Sequence, residues 1–188
     1  MPQMTVKKVR GAFLAIFAPK AFGEQDPAYG GKFVVPKDHP QVKDLDAAML
    51  AAAKEKWGEK GPAILAKLIE EDRVCFHKKT YTNKNGDPVD GFEDAYYISA
   101  RNGGDSPTKP SAFTAANVKL DEPAGLIYSG AFFDTSIDIY AQDNKYGRRI
   151  NASLRGVRFA DKGEAFGGGV AAGADEFGAP AEGAEDFV

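Results

Sequence analysis

The chain has 188 residues, 43% of them hydrophobic and 27% charged, with a formal net charge of −3 and a sequence pI near 5.5. It carries one cysteine, two histidines and no apolar run near ~18 residues, which argues against an intrachain disulfide, a structural zinc site and a membrane span. We therefore expect a cytoplasmic protein with no cofactor, and about 160 residues are enough for one folded domain.

The acidic character is concentrated at the C-terminal end. Residues 161–188 are rich in Gly and Ala and carry seven acids and one lysine, a net charge of −6, which leaves +3 on residues 1–160. So few aliphatic residues favour disorder, and we predict a folded domain over 1–160 and a flexible acidic tail over 161–188. Such a tail can compete with another polyanion for the basic body. A purely solubilising role is the open alternative.

The first half of the chain predicts two strands followed by helices. Residues 4–17 and 30–35 read as strands that end near prolines. A helix is predicted from about Asp38 to Trp57, with Leu45, Met49 and Ala53 on one face and Gly58 behind it. A second, shorter helix follows over 62–69.

The second half returns to strands. We predict them over 73–81, 95–101, 131–141 and 148–159, with turns at 83–88 and 143–147 and an open loop at 101–107. Gly156 should form a bulge, because the apolar phase of the last strand shifts there by one residue. Five or more strands with helices inserted mid-chain predict a mainly β fold, an OB-fold-like Greek-key barrel.

Basic and aromatic residues alternate along the predicted strands, as in proteins that bind single-stranded nucleic acid through a cationic groove and stacking rings. Alternation places Tyr97 on the outer face with Ser99 and Arg101. The alternative is that the rings fill the barrel and the cations solvate edge strands. The candidate DNA-binding residues are Lys7, Lys78, Lys79, Tyr81, Tyr97, Arg101, Arg148 and Arg149, with Phe76 as a further stacking candidate.

Catalytic sites are less well supported by the sequence. The acids Asp121, Glu122, Asp134 and Asp138 could hold the metal of a nuclease, but no Lys or His stands at a recognisable spacing from them. Three successive glycines at 167–169 lack the Lys-Ser or Lys-Thr of a phosphate loop, so they read as a linker. We expect a protein that is not an enzyme.

Several stretches of the chain resemble a family of tailed-phage single-stranded DNA-binding proteins. The resemblance extends over most of the chain, is strongest from Gly125 onward, and is carried by residues 31–37, 128–133, 137–144, 150–157 and 163–169. It implies an OB-fold that covers single strands during phage replication in the host cytoplasm. It also implies an acidic tail whose terminal aromatic residue contacts replication proteins. Here that aromatic residue is Phe187, followed by Val188.

Together these observations predict a sequence-tolerant single-stranded DNA-binding protein that acts in phage replication and recombination. Its tail would compete with DNA and recruit replication proteins through Glu185, Asp186 and Phe187. No membrane partner is expected, and a homodimer is one option for the oligomeric state. A metal-dependent nuclease and a structural or protein-interaction module with a solubilising tail remain alternatives.

Overall fold

A computed structural model describes residues 2–21 and 24–167. Eight strands form one curled sheet in the order β3-β4-β2-β1-β7-β8-β5-β6, and two α-helices are inserted between β2 and β3. The predicted class, a mainly β OB-fold-like barrel with inserted helices, is confirmed. No helix in the described part of the chain is both long and apolar enough to span a bilayer. The strands are β1 (Gln3–Lys20), β2 (Ala28–Pro36), β3 (Phe76–His77), β4 (Ala95–Asn102), β5 (Ser111–Phe113), β6 (Lys119–Leu120), β7 (Phe132–Asn144) and β8 (Gly147–Asp161).

The long strand β1 has two partners and bends between them. Its first half pairs antiparallel with β7 and its second half with β2. The register shifts once around Lys8 and again around Phe13, and both residues have positive φ angles of 50° and 52°. Bulges of this kind bend a strand and increase its twist, so β1 can pair with β7 along its first half and with β2 along its second half.

The helices pack on the barrel beside β7 and β8. Helix α1 (Val42–Trp57) buries Leu45 and Met49, and α2 (Gly61–Glu70) buries Leu65 and Leu68, all in the main core. A short 3₁₀ helix (Gly58–Lys60) joins them. Gly61 allows the two helices to pack closely, because a Cβ atom there would lie 2.8 Å from the backbone of Ala53.

The strand predicted over 73–81 is much shorter in the structure. Only Phe76 and His77 pair with β4, and the chain then turns away from the sheet. Tyr81 instead accepts a hydrogen bond from the backbone N–H of Val89, so residues 81–89 form a separate loop. Residues 78–81 therefore lie outside the sheet.

The final hairpin agrees with the sequence pattern. β7 and β8 pair along their whole length, and the bulge predicted at Gly156 is confirmed, because Ser136 pairs with Gly156 whereas Ile137 pairs with Leu154. β5 runs parallel to β8 at this point. A Cβ atom on Gly156 would lie 2.8 Å from the carbonyl oxygen of Ser111, so glycine permits this approach.

The side chain of Asn102 connects β4 to β8. The amide of Asn102, at the end of β4, donates to the carbonyl of Leu154 (2.7 Å) and accepts from its N–H (2.8 Å). Asn102 is buried and also donates to the carbonyl of Thr108. It thus replaces a backbone ladder where β4 meets β8.

The chain remains packed on the body beyond β8. Arg10 donates to the carbonyl of Glu164 (2.5 Å) and lies over the ring of Phe166 (4.2 Å). Tyr128 donates to the carbonyl of Gly163 (2.9 Å). The segment predicted as tail therefore packs against the barrel as far as residue 167.

Candidate nucleic-acid interface

A groove crosses the outer surface where β4 and β8 meet. We call it the central groove; its volume is about 660 Å³. It is lined by side chains from five strands and from the segment that follows α2. The lining residues used below are Lys32, Asp72, His77, Tyr97, Ser99, Arg101, Tyr140, Arg149 and Asn151.

The charged side chains at the groove are mainly cationic. Arg101 and Arg149 project from the outer faces of β4 and β8 and are exposed. The Arg101 guanidinium also donates to the carbonyl of Asp26 (2.6 Å), which holds it beside the groove. Arginine is well suited to phosphate, because its planar guanidinium can donate two parallel hydrogen bonds.

Lys32 on β2 adds a third cation, partly buried. Its Nζ atom donates to Ser99 Oγ (2.8 Å) and lies 4.6 Å and 5.2 Å from the ring centroids of Tyr81 and Tyr97. Burial lowers the pKa of Lys32, although the charge of Asp72 partly opposes this. An ammonium with this little water around it gains more from an incoming phosphate than an exposed one does.

One carboxylate lies within this cationic groove. Asp72 accepts from Lys79 (2.6 Å) and from the His77 ring (2.7 Å). Partial burial alone would raise the pKa of Asp72, but these two bonds hold it below its usual value. Burial lowers the pKa of His77, although Asp72 opposes this, and its ring stacks on Tyr97 at 4.3 Å.

A second cavity adjoins the central groove. We call it the aromatic cleft; it is about 290 Å³ and shares Gln25, Lys32, Ser99 and Arg101 with the groove. A third cavity of about 330 Å³ shares Arg101, Gly103 and Tyr140 with the groove. We call these three adjacent cavities the path; Arg101 lines all of them. The other residues of the aromatic cleft are Phe13, Ala28, Tyr29, Gly30, Gly31, Tyr81 and Ala100.

Comparison with known proteins identifies the family of this chain. The family model described as Enterobacter phage Enc34, ssDNA-binding protein, matches residues 2–188. The chain belongs to this family. A relative from Acyrthosiphon pisum secondary endosymbiont phage 1, named protein p50, is 29% identical over 179 residues, which cover 93% of this chain and 92% of the relative.

Solved structures agree with the Enc34 family assignment. The single-stranded DNA-binding protein from bacteriophage Enc34 in complex with ssDNA is 25% identical, with a TM-score of 0.68, and the match covers 88% of this chain and 89% of that one. The chain also resembles gp2.5, a single-stranded DNA binding protein encoded by bacteriophage T7. That match has 11% identity and a TM-score of 0.58, and covers 92% and 99% of the two chains. The T7 likeness shows a shared fold.

Four of the eight predicted site residues lie on the path. Tyr97, Arg101 and Arg149 line the central groove, and Tyr81 and Arg101 line the aromatic cleft. Tyr97 shares its face with Ser99 and Arg101 as expected, but it is only 4% exposed because neighbouring rings cover it. Its ring is therefore not available for stacking in this conformation.

The four other predicted cations are separate from the path or next to it. Lys79 reaches the groove only through its bond to Asp72, and Lys78 is paired with Asp46 on α1 (2.5 Å). Lys7 lies at another cavity, about 360 Å³, on the β7–β8 side. Arg148 lies against the helices in a helix-side cavity that includes Trp57 and Arg73.

Phe76 does not fit its predicted role. It is 1% exposed and belongs to the main core, packed edge-on against Tyr96 at 5.9 Å. The short pairing of β3 with β4 turns this ring inward. Phe76 therefore contributes to stability and is a wrong candidate for stacking.

Two of the four acids considered for a nuclease are engaged by cations of neighbouring strands. Asp134 accepts from Arg158 (2.5 Å) and Lys7 (3.4 Å), and Asp138 from Arg155 (3.4 Å). Burial alone would raise the pKa of Asp134, but these bonds and one from the Lys8 N–H lower it. Across residues 2–21 and 24–167, no group of three or more His, Cys, Asp or Glu side chains is arranged to hold a metal.

Sequence reasoning missed several residues of the path. Lys32 follows two glycines in the strand predicted over 30–35, and nothing in its spacing singles it out. Phe13 and Tyr140 fall in predicted strands, and Tyr29 stands just before one. A signal existed for Tyr140, because it alternates with the apolar residues of the final hairpin, where it lies opposite Asn151. The predicted partner-binding residues Glu185, Asp186 and Phe187 lie outside the described residues.

Proposed function

We propose that this protein binds single-stranded DNA without sequence preference and without catalysis. The observation that carries the proposal is the set of adjacent cavities that place Lys32, Arg101 and Arg149 beside aromatic rings. Phosphates would bind these cations, and bases would lie on the adjoining rings. Membership of the Enc34 family supports the same function, since a member of that family has been solved in complex with ssDNA.

The polar contacts in the groove are directed toward the backbone of the strand. Arg101 and Arg149 stand on facing strands, so a strand in the groove would have a guanidinium on either side. Asp72 would repel phosphate. Lys79, which pairs with Asp72, would exchange that bond for one to the approaching phosphate.

We propose that the acidic tail competes with DNA for this path and recruits replication proteins. Residues 168–188 contain five acids and no base, and they follow a segment that is anchored beside Arg10. A tethered anionic segment has a high effective concentration at the cationic body. Glu185, Asp186 and Phe187 would form the partner-binding end, and the protein would act in phage replication and recombination in the host cytoplasm.

A titration with fluorescein-labelled oligothymidine and a duplex of equal length tests the function directly. We expect the full-length protein to raise the anisotropy of the single strand at low salt, with weaker binding to the duplex and loss of binding as salt increases. Equal affinity for both would contradict the single-strand proposal. Cleavage of the labelled strand in magnesium would contradict the non-enzymatic proposal.

A further inference from the structure

The helix-side cavity has no role in the proposed DNA path. Within the described part of the chain, the two share no lining residue. The cavity has a volume of about 710 Å³ and is lined by the C-terminal end of α1, the 3₁₀ helix, α2 and the start of β8. Trp57 and Ile64 are partly exposed along it, and Leu68 is buried at its side. The cavity thus offers apolar surface to a side chain from outside the barrel.

The charged side chains of this cavity carry an excess of positive charge. Four cations line it against two acids; they are Lys60, Lys67, Arg73 and Arg148, against Glu59 and Glu71. Lys60 and Lys67 are exposed, so a carboxylate from outside can reach both. Arg148 donates to Asp143 (3.0 Å), which also accepts from the Trp57 indole (3.1 Å) and so holds that ring in place. A ligand with carboxylates beside an apolar side chain fits both properties of the cavity.

The C-terminal tail of this chain carries that combination twice. Residues 168–188 contain five acids and no base, and in two places a pair of acids comes directly before a phenylalanine. These places are Asp175-Glu176-Phe177 and Glu185-Asp186-Phe187. The tail follows a point that is fixed on the body, since the N–H of Gly167 donates to Asp90 (2.7 Å). A tethered ligand has a high effective concentration, which favours the tail of the same chain over that of a second copy.

The two phenylalanines of the tail differ in how far they can reach. Phe177 is ten residues from Gly167 and Phe187 is twenty, so they reach at most ~35 Å and ~70 Å from it. A folded domain of this size has a radius of ~20 Å, and half its circumference is ~60 Å. Phe187 can therefore reach any point on the surface of the barrel, whereas Phe177 can reach only part of it.

We propose that the helix-side cavity binds residues 185–187 of the same chain. The phenyl ring packs against Trp57 and Ile64, and the two carboxylates pair with Lys60 and Lys67. The inference rests on the proposed function in one respect, the identity of residues 185–187 as the partner-binding end. A replication protein then has to displace that end from the cavity. The other three acids of the tail stay outside the cavity and can still compete for the path.

Trp57 is the only tryptophan of the sequence, so its fluorescence reports on the cavity without a label. The emission maximum and the quenching by acrylamide are measured for the full-length protein, without DNA, over a range of salt concentrations. The variants are F187A and K67E, with F177A and K43E as matched controls. F177A removes the same ring from the first acidic segment of the tail. K43E makes the same change of charge at an exposed position in the first turn of α1, outside the cavity.

We expect Trp57 to emit at longer wavelength and to be quenched more strongly when the tail end leaves the cavity. F187A should shift the docking equilibrium toward the free tail by ~10-fold or more, because the burial of a phenyl ring is lost. K67E replaces an attraction by a repulsion, so its tail should leave the cavity at lower salt. F177A and K43E should match the unmodified protein. Unchanged Trp57 signals in F187A, or an equal change in F177A, would overturn the proposal.

Crosslinking identifies the occupant of the cavity and remains informative if a variant folds poorly. p-Benzoylphenylalanine replaces Phe187 in the full-length chain, the sample is irradiated without DNA, and the crosslinked peptides are identified by mass spectrometry. Crosslinks to residues 57–73 or Arg148 within one chain support the proposal. Crosslinks between two chains, or crosslinks confined to other parts of the barrel, overturn it. Because no DNA is present, these outcomes are independent of the single-strand proposal, which the oligothymidine titration tests separately.

Discussion

Adjacent arginines at 148 and 149 allow a test of the groove in which the change of charge is held constant. Arg149 lines the central groove, whereas Arg148 lies in the helix-side cavity and donates to Asp143 (3.0 Å). Both are exposed residues of β8. Replacing either by Gln removes one positive charge, so only their positions differ. We expect R149Q to weaken binding to single-stranded DNA and R148Q to leave it nearly unchanged.

The size of the effect follows from counterion release. One phosphate contact on a single strand contributes ~0.7 to the slope of log K against log salt. Relative to 1 M salt, where this contribution to log K is zero, one phosphate contact raises log K by ~0.9 at 50 mM salt and by ~0.5 at 200 mM. R149Q should therefore lose about 8-fold in affinity at the lower salt and about 3-fold at the higher one.

Anisotropy titrations of labelled oligothymidine over this salt range measure both quantities. The slope for R149Q should be shallower by ~0.7, and the slope for R148Q should equal that of the unmodified protein. Circular dichroism spectra and urea midpoints check that both variants fold alike. Equal losses in the two variants, or a loss in R149Q that does not depend on salt, would refute the assignment of Arg149 to the phosphate path.

Three further predictions concern the tail, the barrel closure and an ion-pair cluster. Deleting residues 168–188 should tighten binding to oligothymidine, whereas F187A should leave it unchanged and weaken capture of a replication protein; unchanged affinity after the deletion would exclude competition by the tail. N102A should lower the free energy of unfolding by about 2–5 kcal/mol in urea titrations, because it strands both backbone groups of Leu154, with exposed Asn85→Ala as control. Because folding lowers the pKa of Asp134, its carboxylate stabilises the fold at pH values above the pKa of a free Asp. This stabilisation is lost as the pH falls through the lowered pKa of the folded state. D134N should therefore lower the urea midpoint at neutral pH but not near pH ~2, and an equal deficit at both would contradict the ion-pair origin.

The parts of the fold that could be predicted depend on local patterns. Alternation along 131–159 identified the β7–β8 hairpin, and the phase shift at Gly156 identified its bulge, because both are written in adjacent residues. β5 and β6 have three and two residues, too short for any period to appear. The segment 73–81 has strand composition, but tertiary neighbours limit its pairing to Phe76 and His77.

The same distinction applies to the site. Arg101 and Arg149 could be predicted, since each is an outward residue of a recognisable strand. Lys78 and Lys79 pair with Asp46 and Asp72, and such pairings come from the fold and leave no trace in spacing. Phe13 was missed because a left-handed backbone at a non-glycine residue carries no sequence signal.

The body of this protein, without its tail, should bind single strands through the cations of the path. The most direct measurement is the salt dependence of oligothymidine binding by the chain that ends at Gly167. Contacts from Lys32, Arg101 and Arg149 should give a slope of log K against log salt of about −2 or steeper. A flat dependence, or no binding at all in dilute buffer, would contradict the claim.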